Sequence, residues 1–183
     1  MGVVKDTIDF RRNNNVQRND FMTLLMKVMK EQIENGEAGG DPKDQLTMDD
    51  IAAQAFVFFL AGFETSSTAM SFCLYELALN QELQDKARQN IAEVLKNYDT
   101  ISYEAVHEMK YIEMCINETL RKYPPVAILE RIVTKPYRIP DTSVTLHPGM
   151  KIMIPAYAIH HDPDIYPEPA TYDPDRFTPE RMA

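Results

Sequence analysis

The chain has 183 residues, 44% of them hydrophobic and 26% charged, which is the composition of an ordinary globular protein. Its formal net charge of -9 disfavours nucleic acid or an anionic membrane surface as the main partner. The two cysteines, Cys73 and Cys115, both fall in helical patterns, which indicates buried reduced thiols, with a disulfide between them left open as the alternative.

The sequence contains no run of about 18 apolar residues of the kind that spans a membrane. The apolar stretch 51–63 is shorter and includes Gln54, so it is predicted to be a core helix. Residues 1–20 are charged and rich in Asn, unlike a signal peptide. We therefore expect no membrane anchor within this chain, and leave open whether the intact protein has one.

Helical patterns occupy the first two thirds of the chain. The period of the apolar residues predicts helices over 20–34, 47–79, 80–96, 102–107 and 109–122, with a glycine-containing loop over 35–45. Thr47 and Asp50 have the spacing of a capping box at the start of the third helix. Apolar residues surround the middle of that helix, so we expect it to cross the interior of a larger body.

Prolines divide the helical part from the rest of the chain. Only Pro42 precedes residue 124, and the other eleven prolines lie between Pro124 and Pro179. Because proline interrupts helices, the pattern predicts short strands over 127–134, 138–146 and 151–157, a turn at 147–149 and irregular coil over 162–175. The prediction is a single partial domain, mainly α with a small β-sheet, helical over 1–123 and extended or coiled over 124–183.

An acid and an alcohol lie side by side in the middle of the long apolar helix. The segment 61–67 reads AGFETSS, which places Glu64 next to Thr65. Burying an unpaired carboxylate costs several kcal/mol, and such a cost is met most often where the acid takes part in chemistry. The structural alternative is a glutamate satisfied by a backbone group or by a distant base, and these residues alone leave both open.

Two further segments carry charges beside rigid, apolar residues. Glu118 and Arg121 are three positions apart on one predicted helix, directly before Tyr123-Pro124-Pro125. Arg176 follows in Pro174-Asp175-Arg176-Phe177. Since a guanidinium group binds a carboxylate through a planar fork, one glutamate could be held by both arginines, fixing the distal coil to the helix.

Together these three ordered segments resemble the cytochrome P-450 family, the haem-thiolate monooxygenases. Residues 61–66 resemble the oxygen-groove segment of the family's long central helix, and residues 118–121 its Glu-x-x-Arg pair. Residues 174–177 resemble its Pro-Glu-Arg-Phe motif, with Asp175 in place of Glu. The likeness covers nearly the whole chain and is greatest to microsomal, insect-type members. It implies part of the cytochrome P-450 fold, with Glu118, Arg121 and Arg176 as a structural triad.

The resemblance also implies roles for residues of the central helix. Glu64 and Thr65 would be the catalytic acid–alcohol pair that delivers protons during oxygen activation. Ala61 and Gly62 would lie at the haem with Thr65, because glycine lets a ligand approach the helix backbone. Val57, Leu60 and Ala61 would border the substrate, although a plain core position is the alternative for these side chains.

After the Glu-x-x-Arg helix, the family comparison implies a second wall for the substrate and a contact to haem. Val126 and Ala127 begin a stretch, 126–129, that resembles a substrate-bordering segment. Arg131 lies between apolar neighbours, and its family counterpart binds a haem propionate. An ion pair with Glu130 or another carboxylate is the alternative for this arginine.

The implied cofactor is haem b, and the implied partners are an NADPH-dependent reductase and an apolar small-molecule substrate, with no nucleic acid. The implied location is the cytoplasmic face of the endoplasmic reticulum membrane. The family's axial cysteine lies in a glycine-containing loop after the Pro-Glu-Arg-Phe region, and neither Cys73 nor Cys115 is in such a loop. We therefore expect a fragment that lacks the metal ligand, the iron-binding loop and the anchor, and that is inactive alone.

Two other functions stay as alternatives. The run His160-His161-Asp162 contains divalent-metal ligands and would suit a metal-dependent phosphohydrolase, although His107 and His147 have no matching spacing. A non-catalytic helical interaction module is the second, and it leaves an acid beside Thr65 in an apolar helix unexplained.

Overall fold

The computed structural model describes residues 2–34 and 46–182, so the loop predicted over 35–45 lies outside the described residues. The chain forms two compact units, one ending at Glu64 and the other beginning at Thr65. The described residues are mostly helical, with two small antiparallel sheets. The predicted fold class, mainly α with a small β-sheet, is confirmed.

The first unit contains α1 (Gly2–Asn13), α2 (Phe21–Glu34) and the first half of α3 (Met48–Leu79). Ile8 and Ile51 are fully buried in it. Asp20 precedes α2 and accepts a hydrogen bond from the Thr23 backbone N–H at 3.0 Å, as an N-cap does. The Arg11 guanidinium, 2.7 Å from Asp20, holds the pKa of that carboxyl well below its usual range.

The start of α3 has the predicted capping box. The Asp50 backbone N–H donates to Thr47 Oγ1 at 3.2 Å, and the Thr47 backbone N–H donates to Asp50 Oδ2 at 2.8 Å. Each side chain thereby satisfies a backbone donor that the first helical turn leaves without a partner. The helix then continues to Leu79, the predicted end.

The middle of α3 is exposed in this chain, so its expected position inside a larger body stays a prediction. Phe56, Phe59 and Phe63 are 63%, 69% and 62% exposed. A helix is buried only where other elements pack over it, so exposure in this chain does not decide burial in a larger body.

The prediction that no segment is apolar enough for a membrane span also needs correction. By length and composition alone, Met48–Leu79 is one helix among the described residues that could cross a membrane. Glu64 is the sole charged residue between Asp50 and Glu76, and a single acid does not remove a segment of this length from that class. Length and composition do not distinguish a span from a core helix.

The second unit combines the end of α3 with three helices. These are α4 (Gln81–Leu95), α5 (Tyr103–Glu108) and α6 (Lys110–Lys122), each within two residues of its predicted bounds. Leu77, Ala87 and Cys115 form one buried cluster between α3, α4 and α6. A second cluster joins Val94 of α4 to Ala105 of α5 and to Met109.

Four short strands follow α6. Strand β1 (Leu129–Ile132) pairs with β4 (Lys151–Ile154), with Leu129 opposite Ile154. Strand β2 (Tyr137–Arg138) pairs with β3 (Thr145–Leu146). The predicted turn at 147–149 is present, since the Met150 N–H donates to His147 O at 3.1 Å and Gly149 has a φ of 88°.

Three predictions for the proline-rich part are wrong in detail. The strand predicted over 138–146 is the hairpin of β2 and β3, because Asp141 has a φ of 58° and reverses the chain. The strand predicted to end at 157 stops at Ile154, since Pro155 precedes α7 (Ala156–His160). The coil predicted over 162–175 gives way at Pro174 to a 3₁₀ turn, Pro174–Phe177, followed by α8 (Pro179–Met182).

Candidate functional site

A buried ion pair on α6 forms the centre of the second unit's polar interior. Arg121 Nε lies 2.7 Å from Glu118 Oε2, and Arg121 Nη2 lies 2.8 Å from Glu118 Oε1. The side chains are 1% and 0% exposed. The two residues face each other because positions i and i+3 of a helix lie on one side. The contact is therefore the bidentate fork that the sequence suggests.

Arg121 also binds the backbone of the coil after α7. Its Nη1 donates to His160 O at 2.8 Å, and its Nη2 donates to Pro169 O at 2.9 Å. The guanidinium lies 5.4 Å from the centre of the Tyr166 ring, within the range of a cation–π contact. One arginine of α6 thus fixes a coil about 40 to 50 residues away in sequence.

Arg176 is the third member of this arrangement and contacts it less tightly. Its Nε lies 3.5 Å from Glu118 Oε1, and its Nη2 donates to Glu168 O at 3.1 Å. The Nε–H is buried and has no hydrogen-bond acceptor among the described residues. The Asp173 backbone N–H, in contrast, donates to Glu118 Oε1 at 2.9 Å. The structure therefore brings Glu118, Arg121 and Arg176 together, with the Arg176 contact an ion pair without a hydrogen bond.

Glu64 and Thr65, the predicted acid–alcohol pair, are consecutive residues of α3. Both are exposed, so the cost of burying the carboxylate, on which the sequence argument relied, does not arise in this chain. Ala61 and Gly62 are exposed as well. A Cβ added to Gly62 would meet no atom within 4 Å, so the space beside its backbone is open.

The predicted substrate residues are exposed apolar side chains. Val57 and Leu60 of α3 are 57% and 56% exposed. Val126 is 52% exposed, and Ala127 is exposed too, just after the two prolines that follow α6. All four side chains are exposed in this chain, and the substrate role and the core alternative both stay predictions.

Arg131 is an exposed cation on β1. Its Nη1 donates to the backbone carbonyl of Glu130 at 2.8 Å. The ion pair that the sequence leaves open as an alternative is absent, since no carboxylate of the described residues lies within 4.0 Å of its guanidinium nitrogens.

The cysteines lie in helices, as predicted, and both are free thiols. Cys115 is fully buried in α6, and this burial raises the pKa of its thiol to about 12. Cys73 is partly buried on α3, with its sulfur 3.9 Å from the Tyr172 hydroxyl. The Tyr172 hydroxyl donates to Cys115 O at 2.8 Å, a contact that the sequence does not indicate.

The described residues give no support to the metal site of a phosphohydrolase. His161 Nδ1 lies 2.9 Å from the Tyr157 carbonyl oxygen, and Asp162 Oδ1 accepts from the Asp164 backbone N–H at 3.0 Å. Across residues 2–34 and 46–182, no group of three or more His, Cys, Asp and Glu side chains could hold a metal ion.

Sequence reasoning missed a second buried charge cluster. Glu76 of α3 is 3% exposed and lies 2.8 Å from Lys122 Nζ at the end of α6. One signal for it is present in the sequence, because Glu76 is an acid in the otherwise apolar run 74–79. Its partner, Lys122, directly follows Arg121.

Comparison with known proteins agrees with the three motifs. The family model described as Cytochrome P450 matches residues 3–183. "Probable cytochrome P450 6a13" of Drosophila melanogaster is 50% identical over 183 residues, which are 100% of this chain and 35% of the relative. "Cytochrome P450 6A1" of Musca domestica is 43% identical over 187 residues, covering 100% of this chain and 36% of the relative.

The chain thus spans about a third of the length of the curated relatives that it matches. The resemblance drawn from Glu64-Thr65, Glu118-x-x-Arg121 and Arg176 is confirmed at the level of the family. The chain belongs to the cytochrome P450 family.

Proposed function

We propose that the full-length protein is a haem-thiolate monooxygenase, which inserts one oxygen atom from O2 into an apolar organic substrate. Family membership over residues 3–183 is the observation that carries this proposal. The buried Glu118–Arg121 fork, with Arg176 beside it, is the structural feature that agrees with it. An NADPH-dependent reductase is the proposed electron donor.

Haem b is the proposed cofactor, and the residues of this chain fit part of its site. Arg131 has an exposed guanidinium with no carboxylate of the described residues beside it, as a contact to a propionate would need. Gly62 leaves open space beside the helix backbone. Cys115 does not fit the role of a thiolate ligand to haem iron, because a buried thiol whose pKa is raised to about 12 is not a thiolate at neutral pH.

When bound, haem supplies the oxygen chemistry, and the protein supplies binding and proton control. The proposed part of Thr65 is to donate a hydrogen bond through its hydroxyl and to pass on a proton. The proposed part of Glu64 is to replace that proton from water. Both side chains are exposed in this chain, so water reaches them.

The apolar substrate is proposed to contact Val57, Leu60 and Ala61 on α3, and Val126 and Ala127 after α6. All five are apolar and exposed, which supports a role in binding an apolar molecule. We further propose that the full-length protein lies at the cytoplasmic face of the endoplasmic reticulum membrane, as microsomal members of the family do.

Replacement of Thr65 by Ala in the full-length protein tests the proton-relay proposal. Because the hydroxyl is the proposed proton donor, product formed per O2 consumed should fall on the order of tenfold, with peroxide released instead. Substrate-dependent oxygen uptake, product and peroxide are measured together.

Ser66→Ala is the matched control, since it removes a hydroxyl from the next residue of the same helix. Its ratio of product to O2 should stay at the level of the unchanged protein. An unaltered ratio in Thr65→Ala would contradict the role given to this hydroxyl. If neither the unchanged protein nor the control binds haem, the helical interaction module becomes the better explanation.

A further inference from the structure

A buried polar cluster joins the second half of α3 to the end of α6. Glu76 Oε1 accepts a hydrogen bond from Lys122 Nζ at 2.8 Å and another, shorter than usual, from the Tyr123 hydroxyl. Glu76 is 3% exposed, so the ion pair is shielded from solvent. Both donors directly follow Arg121, so the cluster lies next to the Glu118–Arg121 fork in sequence.

Tyr123 is held by α3 at two points. Its ring stacks on Phe72, with the ring centres 4.2 Å apart and the planes at 6°. Its hydroxyl binds Glu76, one turn further along the same helix. Burial and the neighbouring carboxylate raise the pKa of Tyr123, so the hydroxyl keeps its proton and stays a donor.

The position of Tyr123 constrains the segment that follows. Pro124 and Pro125 come next, and proline fixes its own φ and restricts the residue before it. The backbone of Ala127 is held on its far side, because its carbonyl accepts from the Tyr157 N–H at 3.0 Å. Val126 therefore lies in a short, stiff link between two fixed points.

Thr65, Phe72 and Glu76 belong to one continuous helix. A contact that fixes Tyr123 to Phe72 and Glu76 also fixes the start of the link relative to Thr65. Neither Tyr123 nor Glu76 needs to touch a substrate for this to matter, because the effect passes through the stiff link to Val126.

We propose that Tyr123 is a positioning residue: held by Glu76 and Phe72, it sets the separation between Thr65 and the segment that starts at Val126, and so the size of molecule that the site accepts. This inference rests on the proposed monooxygenase function. A purely stabilising role for the cluster would leave the size preference unchanged.

The test is Tyr123→Phe in the full-length, haem-containing protein. This variant removes the hydroxyl that binds Glu76 and keeps the ring that stacks on Phe72. The probes are imidazole and 4-phenylimidazole, whose binding is followed by the shift of the haem absorption band. The ratio of the two dissociation constants should change by about threefold or more, as expected when one hydrogen bond that fixes the geometry is lost.

Tyr98→Phe is the matched control, because the Tyr98 hydroxyl donates to Glu108 Oε1 at 2.8 Å in an exposed pair on other elements. Its ratio should equal that of the unchanged protein. A melting temperature that falls in Tyr123→Phe while the ratio stays constant would overturn the inference. If Tyr123→Phe does not retain haem, Phe72→Leu, which removes the stacking contact, is judged by the same ratio.

Failure of the proposed function gives a different result. In that case neither probe shifts the haem band of the unchanged protein, whereas failure of the positioning role leaves both probes bound with an unaltered ratio in every variant.

Discussion

Glu118 is fully buried, and each of its carboxylate oxygens has a donor. Oε2 accepts from Arg121 Nε, and Oε1 accepts from Arg121 Nη2 and from the Asp173 backbone N–H. A buried charge is tolerated because it is paired and hydrogen-bonded, and removing one partner leaves the other uncompensated. The fork is therefore a site where a small chemical change has a large effect on stability.

Replacement of Glu118 by Gln should lower the free energy of unfolding of the 183-residue chain by about 3–5 kcal/mol, because Arg121 loses its counter-ion in a buried site. Urea denaturation followed by circular dichroism measures the change. Glu113→Gln is the control on the same helix, since Glu113 pairs with Lys110 at 3.1 Å and both are more than half exposed. It should cost less than about 1 kcal/mol. Equal losses in the two variants would contradict this account of the fork.

At the scale of elements, the backbone conformation of a glycine decides whether its replacement by alanine raises or lowers stability. Gly149 has a φ of 88° in the turn before β4, whereas Gly62 lies within α3. A Cβ at either position meets no atom within 4 Å, so packing does not contribute. Any change on replacement by Ala then reflects the backbone alone.

Gly149→Ala should destabilise the chain by about 1–2 kcal/mol, because an L residue in the left-handed region places its Cβ too close to the carbonyl oxygen. Gly62→Ala should stabilise it by up to about 1 kcal/mol, since Ala has the higher helix propensity. Denaturation midpoints of the two variants give the comparison. A midpoint that does not fall in Gly149→Ala would show that the turn does not need its positive φ.

Helices α2 to α6 could be predicted to within a few residues because their signals are local, whereas α1, α7 and α8 were not predicted. The Thr47 and Asp50 capping box and the regular apolar period of α4 and α6 depend on neighbours three or four positions away. Strands depend on their partners instead. The segment 138–146 was predicted as one strand, whereas in the structure Asp141 reverses the chain and Arg138 pairs with Thr145.

In the candidate site, too, contacts within one helix could be predicted, and contacts between distant segments could not. The spacing of Glu118 and Arg121 indicates a contact on one helix, and the structure has it. The contacts of Glu76 with Lys122 and Tyr123 join residues 46 and 47 positions apart, so no local pattern reveals them. Glu64 is exposed in this chain, and its burial in a larger body stays a prediction, because burial depends on elements that pack over a helix and not on the helix sequence.

At the scale of the whole molecule, the chain combines motifs of the cytochrome P450 family with two cysteines that both lie within helices. Cys115 is fully buried in α6, and its pKa is raised to about 12. Cys73 lies within α3, 3.9 Å from the Tyr172 hydroxyl. A thiolate ligand must be deprotonated and accessible, as cysteines in electropositive, partly exposed sites are. Burial of Cys115 favours its neutral form, and the sulfur of Cys73 packs against Tyr172.

The last prediction concerns the 183-residue chain after it is mixed with haem, reduced and exposed to carbon monoxide. We expect that it does not give the red-shifted absorption band of a thiolate-ligated complex. Any haem that binds should show the band of a neutral ligand, and the Cys73→Ser and Cys115→Ser variants should give the same spectrum as the unchanged chain. Difference spectra recorded at neutral pH make the comparison. A thiolate-type band that disappears in one of the two variants would show that the corresponding sulfur can reach the iron, and the assignment of both cysteines as structural thiols would then be wrong.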